Sequence, residues 1–233
     1  MATITRRLAA IRYAHKLAGH EPPTNVEVVK ATLRGIRRTL GNAHARKAPA
    51  TADKIVAMAA KTETDLKGLR DRAILLLGFA GAFRRSELVA VNVADLEFCD
   101  GGLRVTIHKS KTDQEGLGAT IAIARGTVAC PVDAVRTWIR AAGICDGPLF
   151  RSVSRTCKIS PRRLSARAVA ESVKAYASRA GLRAADFSGH SLRSGFLTSA
   201  AARGASIFKN DGRKSSQKRG YTSQLRPRCG AIS

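Results

Sequence analysis

Leu103-Arg-Val-Thr-Ile-His108 alternates apolar and polar side chains, the period of a strand with one face buried. Thr120-Ile-Ala-Ile123 reads as its partner, and the polar stretch 109–118 turns between them, so the two make a small antiparallel sheet. Outward from this pair the apolar period becomes helical. Helices are expected near 51–60, near 66–80 and from Arg85 on one side, and near 131–142, 163–180 and 190–203 on the other. Ser165 is placed to cap the helix in 163–180. The fold class is therefore α+β: mostly helical with one small antiparallel sheet.

Further out, residues 3–19 repeat Ile4, Leu8, Ile11 and Leu17 at amphipathic helical spacing. Thr24-x-x-Glu27 reads as a capping box that opens a second helix, whose buried stripe is Val26, Val29, Leu33, Ile36 and Leu40. Its other side carries Lys30, Arg34, Arg37 and Arg38. Such a face suits a helix lying along a DNA backbone, and it equally suits one that stays solvated. Ala45-Arg-Lys-Ala-Pro-Ala-Thr51 has no period and contains a proline, so 45–50 reads as a linker between a helical piece, 1–44, and a main domain, 51–209. Two helices are little to fold alone, and the first piece reads as part of a larger domain. Residues 210–233 show neither period, and their composition is that of a disordered tail.

The charge is extreme. The chain has 41 Lys+Arg against 17 Asp+Glu, a net +24 over 233 residues. Residues 209–233 contribute +6, so the body alone carries +18. An excess of this size points to a polyanionic partner, because each cation that meets a phosphate releases a condensed counterion. The five cysteines are odd in number and form no C-x-x-C pair, so neither a zinc site nor a disulfide framework is expected. A reducing cytosol suits them. The arginines of the N-terminus are not followed by the apolar core of a signal peptide, and the longest apolar run, Ala73 to Phe83, is too short for a bilayer.

Four basic residues stand in settings that could carry chemistry. Arg84 falls in Gly81-Ala-Phe-Arg-Arg-Ser-Glu-Leu88, at the junction of two helices, where a guanidinium can be aimed at a phosphate. Lys111, in Lys109-Ser-Lys-Thr112, lies in the turn after a strand. His190 and Arg193, in Gly189-His-Ser-Leu-Arg193, are three apart at the start of a helix and share a face. Each alone reads as readily as a solvated charge or a structural histidine.

Together, in this order and with these intervening elements, the R-x-S-E-L and H-x-L-R-S-G motifs and the turn lysine resemble the tyrosine-type site-specific recombinases of the phage integrase family. The resemblance spans Thr3 to Lys209. It implies that 1–44 is part of a helical core-binding domain and 51–209 a catalytic domain. It implies double-stranded DNA and other recombinase protomers as partners, and no metal or other cofactor. In such a reaction a tyrosine attacks the scissile phosphodiester and forms a 3′-phosphotyrosine. Arg84 and Arg193 would clamp the non-bridging oxygens. Lys111 would protonate the leaving 5′ oxygen, and His190 would serve as acid/base or hydrogen-bond donor.

The match breaks after Lys209. The only tyrosine there is Tyr221, 28 residues beyond Arg193, too early for the family's nucleophile and without its His-Lys-Ser lead-in. Back-translation from Asp211 with a shift of one nucleotide permits Arg-His-Lys-Ser and then a tyrosine. The histidine falls where Ser216 stands and the tyrosine where Leu225 stands, 32 residues beyond Arg193. The expectation is a frameshifted chain that has lost its nucleophile. The alternative is a DNA-binding remnant that interferes with a full-length relative. A basic protein with no DNA role would lack the ordered motifs.

Overall fold

The structure is a computed structural model that describes residues 1–41, 47–108 and 118–204. The chain divides into two compact units, Met1–Arg46 and Lys47–Ser233.

The first unit holds helix α1 (Ala2–Leu17), a 3-10 turn (Pro23–Asn25) and helix α2 (Glu27–Leu40). Thr24 does not cap α2. Proline at the start of the 3-10 turn draws Thr24 inside it, where the residue is buried and its hydroxyl accepts a hydrogen bond from Arg12 Nε at 3.4 Å. The N-cap is Val26, which offers no side-chain hydrogen bond. The expected stripe on α2 is also only half realised. Val29, Leu33 and Ile36 are half-buried, and Val26 and Leu40 are exposed. Two helices and a turn offer each other too little apolar surface to seal a core.

The second unit begins with helices α3 (Ala52–Ala59), α4 (Leu66–Ala80) and α5 (Arg85–Ala90). Strands β1 (Leu96–Cys99), β2 (Gly102–Ile107) and β3 (Ala119–Ala124) follow, then helix α6 (Pro131–Ala141). Strands β4 (Arg151–Val153) and β5 (Ile159–Arg163) lead into helices α7 (Ala166–Arg179) and α8 (Ser191–Ala202).

In the antiparallel sheet β1-β2-β3, β2 is central and pairs Leu103 with Ile123 and Val105 with Ile121. Leu103, Val105 and Ile107 are buried, as the alternation requires. Gly102 permits the turn from β1: its φ is 157°, and a Cβ there would lie 2.1 Å from the Ile123 carbonyl oxygen. The fold class is mostly helical α+β, as the sequence predicts, but the described residues form two small antiparallel sheets rather than one. The second is β4-β5. Its strands escape pattern reading because β4 has three residues and β5 carries Pro161, a residue that sheets tolerate at edges. Residue 163, expected in a helix, ends this strand, which spans Ile159–Arg163. Helix α7 starts three residues later, capped by Ser165, whose Oγ accepts from the Ala168 amide at 3.1 Å.

Helix α4 is the centre of the core. Ala73, Ile74, Leu75, Leu76 and Leu77 are all buried, which takes neighbours on every side, and α3, α5, α6, α7 and α8 supply them. Of the stretch expected to be a linker, residues 45 and 46 lie outside the described residues. Ala48 and Ala50 are strapped onto α8 and the turn before it, their amides donating to the carbonyls of Asp186 (2.7 Å) and Ser191 (3.0 Å). Gly195 on α8 lets the strap in, since a Cβ there would lie 1.8 Å from the Ala50 carbonyl oxygen.

Candidate active site

The site is built on the reversal between α4 and α5. The Gly81 amide donates to the Leu77 carbonyl and closes α4. Ala82 then takes the left-handed conformation, φ 49°, and the Phe83 amide returns to the Gly78 carbonyl at 3.1 Å. Gly81 is needed here: a Cβ would lie 2.2 Å from the buried Phe83 ring. The chain leaves this turn at Arg84, the N-cap of α5. Glu87 holds Arg84 twice, accepting from its amide at 2.9 Å and from its Nη1 at 2.5 Å. The carboxylate is buried and the guanidinium half-exposed.

The second part comes from α8. A Cβ on Gly78 would lie 2.7 Å from Leu192 Cδ1 and 3.0 Å from Leu88 Cδ2, so glycine lets α8 come close to α4. Arg193, the next residue along α8, donates from Nη1 to the Ala82 carbonyl at 2.7 Å. It thus reaches the turn two residues before Arg84. His190 is the N-cap of α8. Its amide donates to Ser188 Oγ at 3.2 Å, and the Ser188 amide donates to the buried Ser191 Oγ at 3.0 Å, which fixes the loop. An open cleft of ≈ 320 Å³ is lined by Arg84, Arg85, Ser86, Ser188 and His190.

The structure therefore brings three of the four expected catalytic residues together. Arg84 and His190 line one cleft, and Arg193 is bonded to the turn beside it. Lys111 lies outside the described residues, between β2 and β3. The basic residues of α2, Lys30, Arg34, Arg37 and Arg38, are exposed, and Arg34 pairs with Glu27. The sequence reading gave no role to Glu87, although its place three residues after Arg84 at a helix start is the spacing of a capping carboxylate. It likewise passed over Arg85 and Ser188 as cleft residues, because nothing in spacing alone joins 84–86 to 188–190.

Tyr176 is buried, with its hydroxyl donating to Glu63 at 3.1 Å, and burial raises its pKa well above that of a free phenol. It is shut away from any substrate. Tyr221 lies outside the described residues. Among the described residues no group of three His, Cys, Asp or Glu could hold a metal ion, and no helix is long and apolar enough to cross a membrane.

The sequence pattern of the phage integrase family matches residues 50–209, and the chain belongs to that family. It is 42% identical over 205 residues to the integrase/recombinase xerD homolog of Selenomonas ruminantium, covering 85% of this chain and 60% of that protein. It is 36% identical over 145 residues to tyrosine recombinase XerC of Syntrophus aciditrophicus (strain SB), covering 61% of this chain and 44% of that protein. The chain thus spans about half the length of these curated relatives. In fold it is similar to the XerH site-specific recombinase bound to palindromic difH substrate in a post-cleavage complex. The TM-score is 0.53 at 16% identity, over 67% of this chain and 43% of that one. It is similar also to the XerA recombinase, with a TM-score of 0.52 at 19% identity over 72% and 53%.

Proposed function

We propose that this protein binds duplex DNA and grips a phosphodiester in the Arg84–His190 cleft, as a site-specific recombinase does, but forms no phosphotyrosine as its sequence stands. The observation that carries the reading is that Arg84 and His190, 106 positions apart, line one cleft, with Arg193 bonded to the turn that delivers Arg84. Arg84 and Arg193 clamp the non-bridging oxygens, where charge accumulates in the transition state. His190 donates to the same phosphate. Lys111, in the chain segment that joins β2 to β3, protonates the leaving 5′ oxygen. The arginines supply the positive charge, so no metal takes part in the reading. Residues 1–44 belong to a DNA-binding domain, with Lys30, Arg34, Arg37 and Arg38 along the backbone, and the catalytic domain runs to Lys209. Duplex DNA of the nucleoid and other recombinase protomers are the partners.

Loss of the nucleophile is part of the proposal. The family match ends at residue 209, where the sequence loses the expected histidine and tyrosine, and a shift of one nucleotide brings both into register. Arg84, Lys111, His190 and Arg193 cannot supply a phosphotyrosine in place of that tyrosine. The protein is then a DNA-binding recombinase relative that occupies sites without cutting them.

A suicide duplex, nicked so that a cleaved strand cannot religate, tests this. Duplex should be retained in a mobility assay, with affinity falling steeply as salt rises, while no covalent adduct appears on a denaturing gel. Tyr221→Phe should change neither result. A phosphotyrosine adduct formed by the chain as it stands would overturn the loss of activity, and absence of duplex binding would overturn the DNA-binding reading. The nucleotide sequence across codons 205–233 tests the frameshift directly.

A further inference from the structure

The two arginines assigned to the clamp are each engaged by the protein itself. Arg84 gives Nη1 to Glu87, whose buried carboxylate offsets its charge at 2.5 Å, and Arg193 gives Nη1 to the Ala82 carbonyl. The next residue in the chain differs. Arg85 is exposed, lines the same cleft, and has no hydrogen-bond or ion-pair partner among the described residues. Its direction is nevertheless constrained. The stem lies against Gly189, the residue before His190, where an added Cβ would come within 3.1 Å of Arg85 Cδ and 3.2 Å of Arg85 Cβ. The stem is thus seated on the loop that delivers His190.

We infer that Arg85 is a further phosphate-binding residue of the cleft, and that Gly189 places it. The inference rests on the reading that duplex DNA occupies this cleft. An arginine whose charge is offset by a carboxylate adds little net attraction for an anion, though it can still direct hydrogen bonds. An unpaired guanidinium supplies both full charge and a bidentate fork that matches a phosphate. Arg85 is the cleft residue with that charge to give. Gly189 has a steric role: a methyl group there would crowd the arginine stem at Cδ and Cβ, and because Cβ is fixed to the α5 backbone, the stem beyond it must turn away. The ligand is the phosphodiester backbone, so the contribution of Arg85 is the same for every sequence.

The test measures binding of the full chain to a fluorescein-labelled duplex of random sequence, by anisotropy, over a series of KCl concentrations. Arg85→Gln should lower the slope of log affinity against log salt by about 0.9, the value for one lost phosphate contact. Arg85→Lys keeps the charge and should keep most of the slope. Arg140→Gln, at an exposed arginine on α6, should leave it unchanged. Gly189→Ala should weaken binding, and adding it to Arg85→Gln should cause no further loss, because both act through one contact. An unchanged slope in Arg85→Gln, with wild-type protein binding and Arg193→Gln impaired, overturns the role of Arg85 and leaves the proposed function standing. Additive losses from Gly189→Ala and Arg85→Gln overturn the placing role of Gly189. Failure of wild-type protein to bind duplex overturns the function and, with it, the role of Arg85.

Discussion

Arg70 and Arg84 stand near the two ends of α4, and each is paired with a carboxylate close by in the chain. Arg70 donates from Nε (2.9 Å) and Nη2 (2.7 Å) to one oxygen of Asp71, and Ser172 Oγ donates to the same oxygen at 3.1 Å. The Arg70 and Asp71 side chains are 7% and 1% exposed. Arg84 gives only Nη1 to Glu87, and there the exposures are 26% and 8%. The first pair uses its hydrogen-bonding capacity within the core. The second buries the acid and leaves much of the guanidinium at a cleft. The same kind of pair, an arginine with a carboxylate, thus serves cohesion in one place and leaves donors open to a ligand in the other. A third pair completes the series. Glu63 and Arg179 meet at the surface, 51% and 46% exposed, with Tyr176 sharing the carboxylate.

The largest effect should come from the sealed pair. Asp71→Ala strands the Arg70 charge in the core and should cost about 3–5 kcal/mol of stability in urea denaturation. Replacing both members by apolar residues, Arg70→Met with Asp71→Leu, should recover most of that loss, because the desolvation cost leaves with the charges. If Asp71→Ala costs under about 1 kcal/mol, the sealed pair behaves like a surface pair and the contrast with Arg84 fails.

Glu87→Gln should cost less, about 1–2 kcal/mol, since Arg84 keeps access to water and the amide oxygen can still accept from the backbone. Its distinguishing effect lies elsewhere. With the offsetting charge gone, the dependence of duplex binding on salt should steepen, whereas Asp71→Ala should leave that dependence unchanged in the fraction that stays folded. A Glu87→Gln variant that matches Asp71→Ala in stability, with an unaltered salt slope, would make the Arg84 pair merely structural.

The members of this series were unequally legible in the sequence. Helix α4 was, because its apolar run is long and bounded by Asp65, whose side chain caps it by accepting from the Gly68 amide at 2.7 Å. The strand at 103–108 was, because alternation with one face buried leaves a clear period. Helix α5 and Arg84 were placed by a motif, and the conjunction with His190 and Arg193 by resemblance rather than by any period. The capping of α2 was misread, because Thr24-x-x-Glu27 fits the pattern while Pro22 and Pro23 impose a different backbone. The sheet β4-β5 was missed because strands of three and five residues have no measurable period. The buried partnership of Arg70 with Asp71 could not be read at all. Adjacent unlike charges in a helix are usually solvated, and only the arrival of α7, with Ser172, closes over them.

The smallest effect belongs to the exposed pair and appears as a pH dependence. Hydrogen bonding to the backbone at Glu63 itself, aided by the Tyr176 hydroxyl and by Arg179, outweighs partial burial and holds the Glu63 carboxyl below its ordinary value of 4.5. A carboxylate whose folded pKa is depressed contributes stability that is fully present above the unfolded value. That contribution is lost as pH falls through the folded value. The loss should therefore begin near pH 4.5 and continue below it. Tyr176→Phe removes one of the donors and lets the folded pKa rise toward the ordinary value, so this part of the acid dependence should flatten. Urea midpoints for wild type and Tyr176→Phe, measured in steps from neutral pH to below 4, would show two curves drawing together as pH falls, because the wild type has more to lose. Curves that stay parallel through that range would mean that removing the hydroxyl leaves the Glu63 shift unchanged. The hydroxyl at 3.1 Å would then contribute packing and no electrostatic preference for the charged acid.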